Sequence, residues 1–181
     1  MRNTSENQIE NRIEVYLLRH GKTAGNLEKR YIGRTDEDLC DEGIRELQGK
    51  TFPKMNRIYV SPMKRCLETV TVFFPEQEAE VREDLREIDF GEFEGKNYLE
   101  LSGNEKYQKW IDSNGTLPFP GGESREAFMD RTVEEMTGVL KAYLQERVEE
   151  TERQVEEECI AFVVHGGTIM AFLSNYCDGD Y

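Results

Sequence analysis

The chain has 181 residues, which suits one domain with one sizeable core. Its 37% hydrophobic and 10% aromatic content is ordinary for a globular protein, and no apolar run is long enough to cross a membrane. A formal net charge of −14 sets the surface against nucleic acid and anionic membranes, so neither is expected as a partner, and an anionic substrate must be held by individually placed cations.

Residues 1–12, Met1 to Arg12, are polar, carry no secretory apolar region and read as a loose arm before a single domain over 13–181. Ile13–Leu18 is a short apolar run with β-branched and aromatic residues, the pattern of a buried strand. It closes on Arg19, His20 and Gly21, which places a cation and a titratable imidazole at a strand's C-terminal edge, where open α/β sheets bind ligands. Lys22–Arg34 follows as a polar loop, and Asp36, Glu37, Asp38 and Asp41 form an acidic turn without the spacing of a calcium loop. Asp41–Lys50 reads as a helix capped by Asp41. Asn56–Val60 is the next strand, and Pro62 leads into a helix over Met63–Phe73 with Arg65 near its N-terminus, where the helix dipole favours anions.

Glu78–Arg82 is a short strand. The segment Leu85–Gly95 and its approach then carry the acids Glu83, Glu87, Asp89, Glu92 and Glu94, among which residue chemistry alone does not choose. Lys96–Pro120 reads as an irregular helical insertion with Tyr107, Trp110 and Phe119 as lid or core aromatics. Ser124 is placed to cap a long helix, Arg125 to about Val148, with an apolar stripe at Phe128, Val133, Met136, Val139, Leu140, Tyr143 and Leu144. Glu149–Glu158 is strongly acidic and reads as a solvated helix end or loop. Cys159–Val164 is a second apolar run closing on His165-Gly166-Gly167, and Thr168–Tyr176 is the last helix. The protein has 2 histidines, and both follow such a strand. Alternating strands and helices predict an α/β three-layer sandwich, a mostly parallel central sheet with helices on both faces. The 4 cysteines, Cys40, Cys66, Cys159 and Cys177, are scattered, which predicts reduced thiols in a cytoplasmic protein and no zinc site.

The string Leu17-x-Arg19-His20-Gly21-x-Thr23, with Asn26, Arg30 and Gly33 after it, resembles the opening signature of the histidine phosphatases, the phosphoglycerate mutase-like superfamily. Ser61-x-x-x-Arg65-x-x-x-Thr69, the segment around Leu85-x-Glu87, Pro120-Gly121-Gly122-Glu123-Ser124 and the His165-Gly166 turn continue the resemblance in order; Asp38 and Glu46 depart from it, where proline and glutamine are usual. It implies that His20 is a nucleophile attacking phosphorus as neutral imidazole, that Glu87 is the proton donor, and that His165 completes the catalytic group. It further implies phosphate contacts from Arg19, Asn26, Arg65 and the Gly166 backbone, with Thr23 and Arg30 at the substrate rim. No metal and no cofactor is implied. The activity implied is hydrolysis of a small-molecule phosphomonoester through a phosphohistidine, with α-ribazole 5′-phosphate phosphatases as the nearest subgroup in length and strings. Phosphoglycerate mutases and non-catalytic phospholigand-binding proteins are the alternatives. Family members usually continue with another strand-forming segment, so residues 13–181 are expected to lack a final segment, which leaves a sheet edge or apolar patch uncovered.

Overall fold

The computed structural model describes residues 12–149 and 157–176. Four strands, β1 (Arg12–Arg19), β2 (Arg57–Val60), β3 (Glu80–Val81) and β4 (Glu157–Val164), form one sheet in the order β1-β4-β2-β3, with every pairing parallel. Parallel neighbours need crossovers, and the helices supply them: α1 (Ala24–Leu27), α2 (Asp41–Leu47), α3 (Lys64–Phe73), α4 (Glu105–Asp112), α5 (Arg125–Glu149) and α6 (Gly166–Tyr176).

β4 shows why the sheet is covered on both faces. Its apolar run has no polar face, and the pleat sends Cys159, Ala161 and Val163 one way and Ile160, Phe162 and Val164 the other. The first set packs with Val60, Cys66, Val70 and Phe74, on the side of α3; the second packs with Met136, Val139 and Tyr143 of α5, with Ile169 and Phe172 of α6 against it. A third cluster lies in the 88–120 insertion, where Phe93 and Leu101 are buried and Phe119 and Phe128 close over them, with Trp110 packed alongside.

Several expectations change. β1 is an edge strand with β4 as its one neighbour in the sheet, and Val15 is exposed, so it is not the buried strand its composition predicts. Arg12 already belongs to β1; the rest of the expected arm, residues 1–11, lies outside the described residues. The polar loop after His20 contains α1, a single turn closed by a capping box in which Thr23 and Asn26 satisfy each other's backbone N–H groups. The cap of α2 is Cys40, whose Sγ accepts from Gly43 N, rather than Asp41, and the helix stops at Leu47. Leu144 leaves the apolar stripe and is exposed. Ser124 caps α5, its Oγ accepting from Ala127 N.

Of the acidic stretch, residues 150–156 lie outside the described residues, but Glu158 is buried rather than solvated. Its carboxylate accepts from Tyr143 Oη at 2.6 Å and pairs with Arg147, so the charge is neutralised where α5 crosses β4. Among the described residues no helix is long and apolar enough to cross a membrane. Residues 177–181 also lie outside the described residues.

Candidate active site

The turn after β1 is stitched to the end of β4: His20 N donates to Val164 O at 3.0 Å. The His20 ring is buried, and its Nδ1 lies 2.7 Å from Gly21 O. A carbonyl only accepts, so Nδ1 carries the proton and Nε2 is left with its lone pair. Thr69 holds the turn from below, accepting from Gly21 N at 3.0 Å while donating to Arg65 O at 2.6 Å. Burial pushes the His20 pKa down from 6.5 to about 4; the Arg65 and Arg19 cations add to this and the Gly21 carbonyl opposes it.

His165 faces His20 edge-on, ring centroids 5.1 Å apart, and is fully buried. Arg65 Nε donates to its Nδ1 at 3.3 Å, which places the ring's one proton on Nε2, 2.7 Å from Ser61 Oγ. Both ring nitrogens are therefore committed. Arg65, two residues into α3, is fully buried too; its Nη1 donates to Thr35 O and its Nη2 to Ile32 O and Gly33 O. Arg65, for which the resemblance implies a phosphate contact, is chiefly a clamp on the 32–35 loop, with one Nη1 hydrogen left over. Arg19 is the open cation of the group: it is exposed, makes no hydrogen bond or ion pair among the described residues, and lies along Gly166, where a methyl would stand 3.5 Å from its Nε.

Glu87 separates from the other four acids by what each one touches. Its Oε1 accepts from Ile88 N at 3.0 Å and its Oε2 from Gly167 N at 3.2 Å, which sets it against the start of α6 beside His165. Burial pushes its carboxyl pKa up, opposed by those two N–H groups and by Arg65 and Arg19. Glu94 instead ties down Gly33 N, Arg34 N and Thr35 Oγ1; Asp89 pairs with Arg34; Glu92 pairs with Lys106; and Glu83 pairs at the surface with Arg86. The segment bearing Glu87 is gripped from behind by Arg131, which the sequence analysis passed over: it donates to Asp84 O, Arg86 O and Glu87 O while pairing with Glu123. Its place one turn behind Phe128 on α5 carries no local signature.

Gly167 is a glycine because of close approach. A Cβ there would lie 2.3 Å from Glu87 Oε1, so Gly167→Ala must push the carboxyl aside. The resemblance makes Glu87 the proton donor, and displacing such a group by about an ångström costs on the order of 10²-fold in rate, so steady-state kinetics on an alkyl phosphate is expected to show a loss of about that size with the melting temperature nearly unchanged.

The remaining candidates divide. The Asn26 Oδ1 accepts from Thr23 N at 3.2 Å, and its amide hydrogens have no partner among the described residues. Gly166 N likewise makes no hydrogen bond and opens at the N-terminus of α6, beside Arg19. Thr23 is fully buried with its hydroxyl spent on the α1 cap, so it offers no rim surface, which corrects the sequence expectation. Arg30 is tied to Glu28, Glu100 and Gly95 O, and so fastens the 95–100 segment to α1.

This arrangement brings together an unprotonated imidazole nitrogen, a second buried imidazole, an open guanidinium, a buried one and a carboxyl with a raised pKa. A family model described as histidine phosphatase superfamily (branch 1) matches residues 15–181. The chain belongs to this superfamily. A metal-independent phosphoserine phosphatase of Arabidopsis thaliana is 30% identical over 171 residues, covering 87% of this chain and 66% of that protein. Phosphoserine phosphatase 1 of Hydrogenobacter thermophilus is 26% identical over 174 residues, covering 92% and 82%. The crystal structure of the α-ribazole phosphatase from Shigella flexneri superposes with a TM-score of 0.73 at 22% identity, covering 89% of this chain and 78% of that one, a likeness of fold.

For this histidine phosphatase the two histidines are direct reporters. Both have pKa values below 6.5, His165 because of burial first and then the charge of Arg65. Imidazole proton NMR is expected to show two resonances, both titrating below pH 6.5 and one near pH 4; a midpoint at 6.5 or above for either would contradict the buried, neutral pair. The sign for stability follows. The value for folded His20 lies below its unfolded one, so its contribution is complete above about pH 6.5 and is lost as pH falls towards about 4. Its size is on the order of 3 kcal/mol.

Proposed function

We propose that the protein hydrolyses a small phosphomonoester through a phosphohistidine on His20. The observation that carries this reading is the Nδ1–H bond from His20 to Gly21 O, which leaves Nε2 as a bare nucleophile opposite His165. Nε2 attacks phosphorus and the P–O bond to the alcohol breaks. The departing alkoxide takes the proton from Glu87. Water then attacks the phosphohistidine, its proton goes to the Glu87 carboxylate, the P–N bond breaks and inorganic phosphate leaves. Arg19, the Gly166 N–H and the free amide of Asn26 supply the donors for the phosphate oxygens, with the last Nη1 hydrogen of Arg65 behind them. His165 orients Arg65 through Nδ1, and its Nε2–H reaches phosphate only by exchanging the Ser61 bond. The family and its phosphatase-named relatives support hydrolysis. No step needs a metal or an organic cofactor, and the reading keeps the protein in the cytoplasm.

The substrate stays open between two named chemistries. The sequence strings favour α-ribazole 5′-phosphate; the curated relatives favour phosphoserine. Mutase chemistry is less supported, because two insertion lysines that would grip a second acidic group are engaged locally: Lys106 pairs with Glu92, and Lys96 donates to Glu92 O. Release of inorganic phosphate from a panel of phosphomonoesters, with EDTA and with added phosphoglycerates, tests the reading. Turnover undiminished by EDTA and not stimulated by phosphoglycerates is expected. Loss on chelation with recovery on adding a divalent ion would replace it with metal-dependent hydrolysis.

A further inference from the structure

A cavity of about 370 Å³ opens beside the proton donor, with Glu87 and Gly167 on its wall. The rest of its lining is mainly apolar: Phe90, Trp110 and Phe119 from the insertion, Phe128 and Met129 from α5, and Met170 from α6. The rings pack against one another. Trp110 stacks on Phe119 with centroids 4.9 Å apart, and Phe90 meets Phe119 edge-on at 5.0 Å. Glu87 and Arg125 are the charged residues on the lining, and the volume is that of a small-ligand site.

We propose that this cavity receives the alcohol half of the ester, and that the alcohol it takes is uncharged and carries an aromatic or similarly broad apolar group. The proposal rests on the phosphatase reading and narrows it. The proton donor must stand next to the ester oxygen, so the group attached to that oxygen lies beside Glu87, where the cavity begins. A second cavity on the other flank of Glu87 is lined by Arg34, Arg86, Asp89, Glu123 and Arg131. A zwitterionic alcohol such as serine suits that flank by charge, but four of those groups already neutralise one another, Arg34 with Asp89 and Arg131 with Glu123, and an entering zwitterion competes with those pairs. The apolar cavity asks no such exchange. It gains the hydrophobic term for each ring it covers.

Two matched primary-alcohol esters separate recognition from chemistry: 3-phenylpropyl phosphate and propyl phosphate leave as alkoxides of similar basicity. Their kcat/KM ratio is expected to favour the phenyl ester by roughly 10- to 100-fold, the worth of burying one aromatic side group. Met170 is half-exposed and tolerates change, and Met170→Glu is expected to bring the ratio close to one. Trp110 is the sole tryptophan of the chain, so intrinsic fluorescence reads the cavity without turnover. Titration of the full chain with 3-phenylpropan-1-ol is expected to give a saturable change that propan-1-ol does not. A ratio near one, or preferred turnover of phosphoserine, with no fluorescence response overturns the proposal and leaves the phosphatase intact. A saturable response without turnover of any ester overturns the phosphatase reading and keeps the cavity as a binding site. Absence of both removes both.

Discussion

His20→Ala is expected to abolish turnover of every phosphomonoester, by roughly 10⁶-fold in kcat, the scale of losing a covalent nucleophile. No neighbour is equipped to replace it. His165 has both ring nitrogens engaged, by Arg65 and Ser61, and is fully buried. The thiol of Cys66 lies 3.6 Å from His165 Nε2, but burial pushes its pKa up to about 12, so no useful thiolate forms near neutrality. Acid-labile phosphate on the protein should vanish with the activity. The packing loss is confined to one ring and its bond to Gly21 O, and His20→Asn keeps a side chain of similar reach as a control on folding. Activity of His20→Ala within a hundredfold of the parent would remove the phosphohistidine from the mechanism.

Glu87→Gln is expected to cost roughly 10²- to 10⁴-fold on an alkyl phosphate, whose alkoxide cannot leave unprotonated. An aryl phosphate with an acidic phenol needs no proton, so His20 is still phosphorylated; the water step, however, lacks its base. A burst of phenol equal to the enzyme, followed by accumulated phosphohistidine, is the expected signature. Burial raises the pKa of Glu87, which favours the protonated form a donor needs, and its position between Ile88 N and Gly167 N keeps it in place. Asp89→Asn, which loses the pair with Arg34, should leave the dependence on leaving group as in the parent. The selective pattern appearing at Asp89 and not at Glu87 would move the acid.

The strands that end on the two histidines were legible because an apolar run of six or so residues closing on His-Gly reads the same at either end of the chain. What was not legible depends on partners distant in sequence. Arg65 reads as an anion-facing cation at a helix start, and nothing near it in sequence shows that the backbone of Ile32, Gly33 and Thr35 folds over it. Glu158 reads as one more acid in an acidic stretch, and only the crossing of α5 over β4 brings it Arg147 and Tyr143. The acids near Leu85 were equivalent in composition, and the start of α6 is what distinguishes Glu87. The one-turn helix α1 was missed because four residues carry no period.

The sheet order has a consequence for how this protein comes into being. Among the described residues β1, which leads into His20, has β4 as its neighbour in the sheet, while β2 also pairs with β4. Ser61, at the end of β2, and its partner His165 lie 104 residues apart. On the ribosome, which delivers the N-terminus first, His20 is among the earliest parts of the site to be made and among the last to be fixed. Until the segment of β4 emerges, β1 has no ladder and the helix of Arg65 has only β2 of its two strands to rest on. Such distant pairing slows folding and exposes apolar strands meanwhile, so the protein's yield in a cell depends on how that interval is shielded.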